Sequence, residues 1–301
     1  MYHGIINVYK EKGYTSFDVV AKMRGICGQK KIGHTGTLDP DAEGVLPICL
    51  GKATKVCDML TDRDKIYRAV LLLGVETDTQ DTTGEVLNRA DVSGLEENRV
   101  RTVIESFVGT ISQIPPMYSA LKVNGKKLCD LARAGITVER KAREITIYEI
   151  RIEQISLPRV EMTVHCSKGT YIRTLCHDIG QMLGCGGAME SLLRVQAAGF
   201  RLEDAVCLTE LQQLKEDGKL DSVIQPVDEV FLAYPALTVE DGAEKMLKNG
   251  NPLFAAHLKK LSEEHYRQPV RIYDSAGKFA AIYRYSTEKK CFRPEKMFLE
   301  D

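Results

Sequence analysis

The stretch GHTGTLDPDAEG, residues 33–44, gathers the side chains of this chain best suited to chemistry. It holds three glycines, two threonines, His34, an Asp39-Pro40 step and the acids Asp39, Asp41 and Glu43, with no amphipathic period through it. A proline disfavours helical geometry in the residue before it, so Asp39 is pressed toward an extended conformation. Gly33 and Gly36 allow positive φ just upstream. A carboxylate held on such a loop can attack a carbon or stabilise positive charge developing beside it. Read without chemistry, Asp-Pro simply starts a turn. The three acids could also supply a glycosidase pair, but they lie too close in sequence to flank a sugar unless the loop folds back on itself.

Other stretches offer weaker chemistry. GVLPICLGKAT ends like a phosphate loop, but six residues separate Gly44 from Gly51 where that loop needs four. His165-Cys166 and Cys176-His177-Asp178 could be ligands or a thiol nucleophile, yet both lie in periodic segments where packing is the ordinary role. The nine cysteines include no C-x-x-C pair, so zinc-ligand spacings are missing and the thiols read as reduced, in a cytoplasmic protein. Residues 122–143 carry Lys122, Lys126, Lys127, Arg133, Arg140, Lys141 and Arg143 against only Asp130 and Glu139. Such a run is either a solvated face or an RNA contact. The formal net charge of −1 argues against a protein that coats nucleic acid indiscriminately, but not against a local basic surface.

The elements that must position these groups can be read from periodicity. GIINVYK (4–10) is a strand, SFDVVAKMRGIC (16–27) a helix with a Ser cap signal, and VLPICLGKATKVCDMLTD a short strand running into a helix. KIYRAVLLLGVETDT is a strand, and LEENRVRTVIESFVG a helix closed by Gly109. REITIYEIRIEQI and RVEMTVHC are strands, the second with Val160, Met162, Val164 and Cys166 on one face. SKGTYIRTLCHDIGQML is a turn and a helix. QIPPMYSALKVNGKK, with paired prolines and an Asn124-Gly125 turn signal, is a long structured excursion. Consecutive strands with short turns imply an α+β domain with much antiparallel pairing. With 301 residues and 44% hydrophobic content, the chain can bury one large domain and a small one. The character changes near Val227: a linker at 222–230 precedes a β-rich unit of roughly 70 residues. No secretory signal or membrane-length apolar run is present.

GHTGTLDPDAEGVLPI resembles the catalytic motif of the TruB-type tRNA pseudouridine-55 synthases. KIYRA is similar to their tyrosine segment, IPPMYSALKVNGKKLCDLARAG to the RNA-gripping thumb, HCSKGTYIRTLCHDIG to the arginine segment, and SLLRVQAAGF to the segment that closes the pocket. All occur in the family order over about residues 1–230. Residues 231–301 resemble the small PUA-like RNA-binding domain of bacterial members. The resemblance implies a pseudouridine synthase catalytic domain at 1–230, with a thumb at about 115–143, a mixed and mainly antiparallel sheet flanked by helices, and a PUA-like domain at 231–301.

It also implies roles. Asp39 is the catalytic aspartate, Tyr67 stacks on the target base and can take a proton, and Arg173 pairs with Asp39. His34 fills the space left by a flipped base. Tyr171, Leu192, Arg194, Lys10, Lys126, Lys127 and Arg133 are substrate contacts. Two motifs depart from the family pattern: YKEKGYTS has Tyr9 for Asp and Glu11 for Pro, and Leu193 replaces the first arginine of an LRR segment. The implied activity is isomerisation of uridine 55 in the tRNA T arm, with no cofactor or metal, by a cytoplasmic monomer that does not engage membranes. Attack at C1′, addition at C6 and a glycal route all remain open to Asp39. The rival readings are an RNA-binding or RNA-folding module without chemistry, and a related synthase acting on another RNA.

Overall fold

The structure, a computed structural model, describes residues 1–123 and 125–299. Strand β1 (Gly4–Lys10) is buried almost throughout and leads into helix α1 (Ser16–Cys27). The cap of α1 is Thr15, not Ser16: Thr15 and Asp18 satisfy each other's backbone N–H groups reciprocally. Ser16, one residue inside the helix, reaches instead to the loop, where its Oγ accepts from Leu38 N at 2.9 Å. Strands β2 (Ile32–His34) and β3 (Glu43–Leu50) bracket that loop. Gly36 has φ 125°, as its type allows, whereas Gly33 lies in β2 without a positive φ.

Helix α2 (Cys57–Thr61), strand β4 (Lys65–Leu73) and the hairpin β5 (Val75–Thr77) with β6 (Val86–Arg89) follow. Helix α3 (Glu97–Glu105) is capped by Ser106, and Gly109 opens strand β7 (Gly109–Gln113) at φ 116° rather than closing the helix. The basic excursion is a small hairpin, β8 (Lys122–Val123) with β9 (Lys126–Lys127), running into helix α4 (Leu128–Arg133). Asn124 of the expected Asn-Gly turn lies outside the described residues. Next come β10 (Arg143–Ser156), β11 (Arg159–Cys166), α5 (Ile172–Leu183), β12 (Gly187–Ala197), β13 (Phe200–Arg201) and α6 (Leu208–Glu216).

Apart from the β5–β6 and β8–β9 hairpins, these strands form one nine-stranded sheet in the order β1-β3-β12-β4-β11-β10-β7, with β2 joined to β3 and β13 to β12. Every pairing is antiparallel except β12 with β3. The fold is therefore α+β with a mixed, mainly antiparallel sheet. Val160, Met162, Val164 and Cys166 are all fully buried, facing a core shared with Val100 and Ile104 of α3 and Leu175 and Ile179 of α5. Helices α1 and α6 close a second core against β1 and β3 through Val19, Met23 and Leu211.

A five-stranded sheet occupies the C-terminal part. It is built from β14 (Ala236–Val239), β15 (Leu258–Lys259), β16 (Val270–Tyr273), β17 (Phe279–Ser286) and β18 (Cys291–Met297), with the short helix α7 (Glu244–Lys248). It packs firmly on the first unit: Ile282, Phe298 and Phe231 share an apolar cluster with Ile5 and Val45. Lys55 Nζ donates to Met297 O at 2.8 Å, and Arg63 Nη2 donates to Val230 O at 2.7 Å.

Candidate active site

Loop 35–42 buries Leu38 and Ala42 in the main core, and the rest of its shape depends on where its backbone groups find partners. Gly13 N donates to Pro40 O at 2.9 Å, Thr35 N to Pro47 O at 3.2 Å and Ala42 N to Asp39 O at 3.1 Å. The carbonyls are held by buried cations. Lys10 Nζ donates to Glu11 O and Pro40 O at 3.0 Å and to Ala42 O at 2.6 Å. Arg194 donates through Nε to Val45 O at 2.7 Å, Nη1 to Thr37 O at 3.4 Å and Nη2 to Gly36 O at 3.2 Å. Buried charges need such a full set of partners to be tolerated.

Lys10 is completely buried, and Arg194 is 1% exposed. The expectation that Lys10 touches substrate therefore gives way: its ammonium is spent inside the fold, bracing the loop on both sides of Asp39. Burial pushes its pKa down to about 8, against the pull of Glu43 and Asp39. Arg194 lines the active cavity yet has its guanidinium committed to the loop, so it too holds the site's shape.

Strand register assembles the remainder. Arg194 pairs in parallel with Gly44 and antiparallel with Tyr67, so β3, β12 and β4 bring loop, clamp and tyrosine side by side. Gly44 must be glycine: a Cβ there would stand 2.3 Å from Arg194 O, and its φ is 106°. Tyr67 is 9% exposed; burial raises its phenol pKa, with the Arg194 charge opposing.

Arg173 is the second residue of α5, and Nε meets Asp39 Oδ2 at 2.9 Å. Its Nη1 donates to Thr79 O at 3.1 Å and its Nη2 to Tyr118 O at 2.7 Å. Asp81 Oδ2 lies 3.7 Å from Nη1. The guanidinium thus grips Asp39 through one nitrogen, not through a two-pronged fork, and two carbonyls fix its plane. Asp39 keeps 41% of its side chain open to the cavity, but the walls displace much of its water. That burial pushes its carboxyl above the usual range; Arg173 pulls it down and Asp81 pushes it up.

The cavity above Asp39 has a volume of about 590 Å³. Tyr67, Tyr171, Leu192, Arg173 and Arg194 line it, together with Ser119 and Leu121 from the start of the excursion. Tyr171 is positioned by a reciprocal pair: its N–H donates to Gln113 Oε1 at 2.8 Å, and Gln113 Nε2 donates to its carbonyl at 3.1 Å. His34 is outside the lining; Gly36 N donates to its Nδ1 at 3.3 Å, and burial lowers its pKa with Arg194 adding to the effect. Lys126, Lys127 and Arg133 are exposed on the excursion beyond the cavity, and do not line it.

Sequence reasoning missed Lys65 and Asp81. Lys65 lines the cavity, donates to the carbonyls of Thr61 and Arg63, and is pushed by burial down to about 8. Asp81 has no signal beyond a polar turn, and Lys65 none beyond its place two residues before Tyr67. The thiol reading fails on position: Cys166 and Cys176 are fully buried in the apolar core, and burial raises both thiols. His165 pairs with Asp64.

The arrangement places the Asp39 carboxylate, paired with Arg173, in the wall of a cavity large enough for a nucleotide, whose lining combines the rings of Tyr67 and Tyr171 and apolar Leu121 and Leu192 with charged residues that include Asp62 and Glu144. Residues 24–172 match the TruB family pseudouridylate synthase (N terminal domain), and residues 173–232 match the tRNA pseudouridylate synthase B C-terminal domain. The chain is 53% identical over 307 residues to the tRNA pseudouridine synthase B of Lachnoclostridium phytofermentans, covering 99% of this chain and 100% of that one. With that of Clostridium perfringens the identity is 44% over 301 residues, with the same coverage. Among solved structures, a Cbf5-Nop10-Gar1 complex aligns with TM-score 0.74 at 29% identity, over 99% of this chain and 85% of that one. An H/ACA RNP bound to a substrate RNA containing 2′-deoxyuridine aligns with TM-score 0.73 at 26% identity, over 99% and 86%.

Proposed function

This chain belongs to the TruB family of pseudouridylate synthases, and we propose that it isomerises uridine 55 in the T arm of tRNA to pseudouridine, with Asp39 as the acting carboxylate. It is an isomerase of tRNA. The observation that carries the residue assignment is the Asp39–Arg173 contact of 2.9 Å in the wall of the cavity, with the guanidinium pinned by two carbonyls.

The reaction breaks the N1–C1′ bond, turns the uracil, and joins C5 to C1′. The hydrogen at C5 leaves to solvent and N1 regains one, so atoms and oxidation state balance without a cofactor. The nucleotide must leave its stack to reach Asp39, at a cost of a few kcal/mol. Stacking on Tyr67, closure by Leu192 and Tyr171, and insertion of His34 into the vacated space offset that cost. Asp39 then either bonds to C1′, adds to C6, or draws the sugar through a glycal; each route needs it ionised. Lys126, Lys127 and Arg133 grip RNA phosphates from the thumb at residues 115–143. Residues 231–301 act as a PUA-like RNA-binding domain beside the catalytic domain of residues 1–230. Among the described residues no helix is long and apolar enough to cross a membrane; we place the enzyme in the cytoplasm, as a monomer.

Asp39→Asn tests the reading. Tritium release from tRNA labelled at uridine C5 should fall to background while folding and tRNA affinity persist. Turnover within about tenfold of wild type, a barrier change near 1.4 kcal/mol, would remove Asp39 from the chemistry. Product formed at a different uridine would favour the reading as a synthase for another RNA. Binding without product in the unaltered protein would favour the RNA-folding reading.

A further inference from the structure

Among the described residues four non-glycines take a positive φ, and Gln80, at φ 65°, is the one whose two neighbours both meet the guanidinium of Arg173. Arg173 Nη1 donates to Thr79 O at 3.1 Å, and Asp81 Oδ2 lies 3.7 Å from the same nitrogen. The left-handed region strains any residue with a Cβ, and glutamine, unlike glycine or asparagine, is not favoured there. Such a residue persists only where its surroundings over-determine it, and strain of this kind clusters at functional sites.

The surroundings do over-determine Gln80. Its carbonyl accepts from Met189 N of β12 at 3.0 Å, and Met189 O accepts in return from Thr82 N at 3.0 Å. Its Oε1 accepts from Thr174 Oγ1 at 2.7 Å, and buried Thr174 directly follows Arg173 on α5. The turn is also braced from within. Asp81 Oδ1 accepts from Thr79 Oγ1 at 2.8 Å, from Thr83 N at 3.0 Å and from Thr83 Oγ1 at 2.6 Å, which leaves Oδ2 to face Arg173. The Thr79 carbonyl belongs to the peptide that ends at the Gln80 nitrogen. The φ torsion of Gln80 therefore sets where that carbonyl points relative to the part of the turn fixed on β12. At negative φ, with the Gln80 carbonyl still on Met189, the Thr79 carbonyl turns away from Arg173.

We infer that Gln80 is a positioning residue for the isomerisation: its left-handed backbone turns the Thr79 carbonyl onto the Arg173 guanidinium, its amide ties that turn to α5, and through Arg173 it sets the direction of Asp39. Gln80 does not line the cavity, so it acts through Arg173 and not on the nucleotide. The inference rests on the Asp39-dependent reaction proposed above.

The test compares Gln80→Val, whose β-branched side chain resists positive φ, with Gln80→Gly, which accepts it freely. Gln80→Val should slow single turnover on tRNA at least about thirtyfold while Kd changes less than about threefold. Gln80→Gly, which keeps the backbone and loses only the amide, should be at least about tenfold faster than the valine variant. Should Gln80→Val fail to fold, Thr174→Val, which removes only the donor to the amide, should slow turnover about tenfold, and Thr174→Ser should restore it. A second readout needs no activity. With Nη1 and Nη2 held on two carbonyls, rotation of the Arg173 guanidinium is blocked, so its Nη protons should give separate NMR resonances in the RNA-free protein. They should merge in Gln80→Val and stay separate in Gln80→Gly. Wild-type turnover in Gln80→Val, a glycine variant no faster than the valine one, or a rate loss matched by an equal loss of affinity would each overturn the inference. So would resonances that are merged in the wild type or unaltered in Gln80→Val. A wild-type protein that forms no pseudouridine would strike the isomerase reading instead, and the Arg173 resonances would still decide whether Gln80 aims the guanidinium.

Discussion

Arg173→Lys separates charge from aim at the active site. Arg173 is 5% exposed, forms an ion pair with Asp39, and donates hydrogen bonds to the carbonyls of Thr79 and Tyr118. A lysine keeps the positive charge, but its three N–H donors share one nitrogen, so it cannot span the places of Nε, Nη1 and Nη2 and serve all three oxygens where they stand. If its ammonium follows Asp39, the Thr79 and Tyr118 carbonyls lose their donor, at about 1–3 kcal/mol of stability for each that stays dry. If it settles between the carbonyls, Asp39 loses a charge-assisted bond of about 1.5–3 kcal/mol and its direction toward the sugar. Either way the carboxylate moves. The expected barrier increase is about 3 kcal/mol, or roughly a hundredfold in single-turnover rate at saturating tRNA. Affinity for tRNA should change less than about tenfold, because Arg173 faces inward. The assay is rapid-quench tritium release with both proteins, alongside thermal melts. A lysine variant that matches wild type in rate would show that charge alone suffices, and that the anchoring of the guanidinium plane has no part in catalysis.

The other expectations follow from the same geometry. Ionised Asp39 is the working form, so the single-turnover rate should fall as pH drops through its pKa, which burial places above the ordinary carboxylate range. Arg173→Met removes the opposing charge and should move that acid limb to higher pH; a limb at unchanged pH would separate Arg173 from the ionisation of Asp39. Replacing Lys126, Lys127 and Arg133 together by Ala should weaken tRNA binding and flatten its salt dependence by about 0.7–0.9 for each phosphate no longer neutralised, measured by filter binding across salt. An unaltered slope would leave those residues as a solvated face. Lys10→Met should slow single turnover by at least about tenfold with tRNA affinity and salt slope unchanged, whereas an effect confined to affinity would restore Lys10 as a substrate contact.

Much of the framework is legible because period-two and helical patterns are strong where one face is buried. β11 is an example, with its four inward residues fully buried. The strand that matters most to the site, β12, is not legible by period. Its register slips between Met189 and Ser191 and again between Arg194 and Gln196, so no unbroken alternation exists to be read. Only the resemblance of SLLRVQAAGF marks it. Gly109 misleads because a glycine after a helix reads as a cap, whereas here it supplies a positive φ at the start of β7. Asp39, Tyr67 and Arg173 stand out through motifs, and motifs report identity without saying which way a side chain faces. Lys10 and Arg194 illustrate the gap. Lysine and arginine are seldom buried, so exposure on an RNA-facing surface is the natural inference from type. Their partners here are backbone carbonyls, which every residue carries and no sequence marks.

The burial of these cations follows from what a catalytic loop has to be. A loop that must leave a carboxylate open to a nucleotide can pack few of its side chains into a core, here Leu38 and Ala42. Its carbonyls, at Gly36, Thr37, Pro40 and Ala42, turn inward and need donors that helices and sheets would otherwise supply. Water could serve them but would leave the loop free to move. Lys10 and Arg194 reach in from β1 and β12 and match those oxygens with long side chains anchored in the sheet. Arg173 reaches from α5 to the carboxylate itself. Asp39 is thereby held from three elements that meet only in the folded chain, and the charges of Arg173 and Lys10 pull its carboxyl down against the burial that raises it. Positioning and ionisation thus share the same atoms. A neutral replacement at Arg173 or Lys10 should disturb both, which is why lysine at position 173 is the sharper probe: it holds the charge and releases the aim.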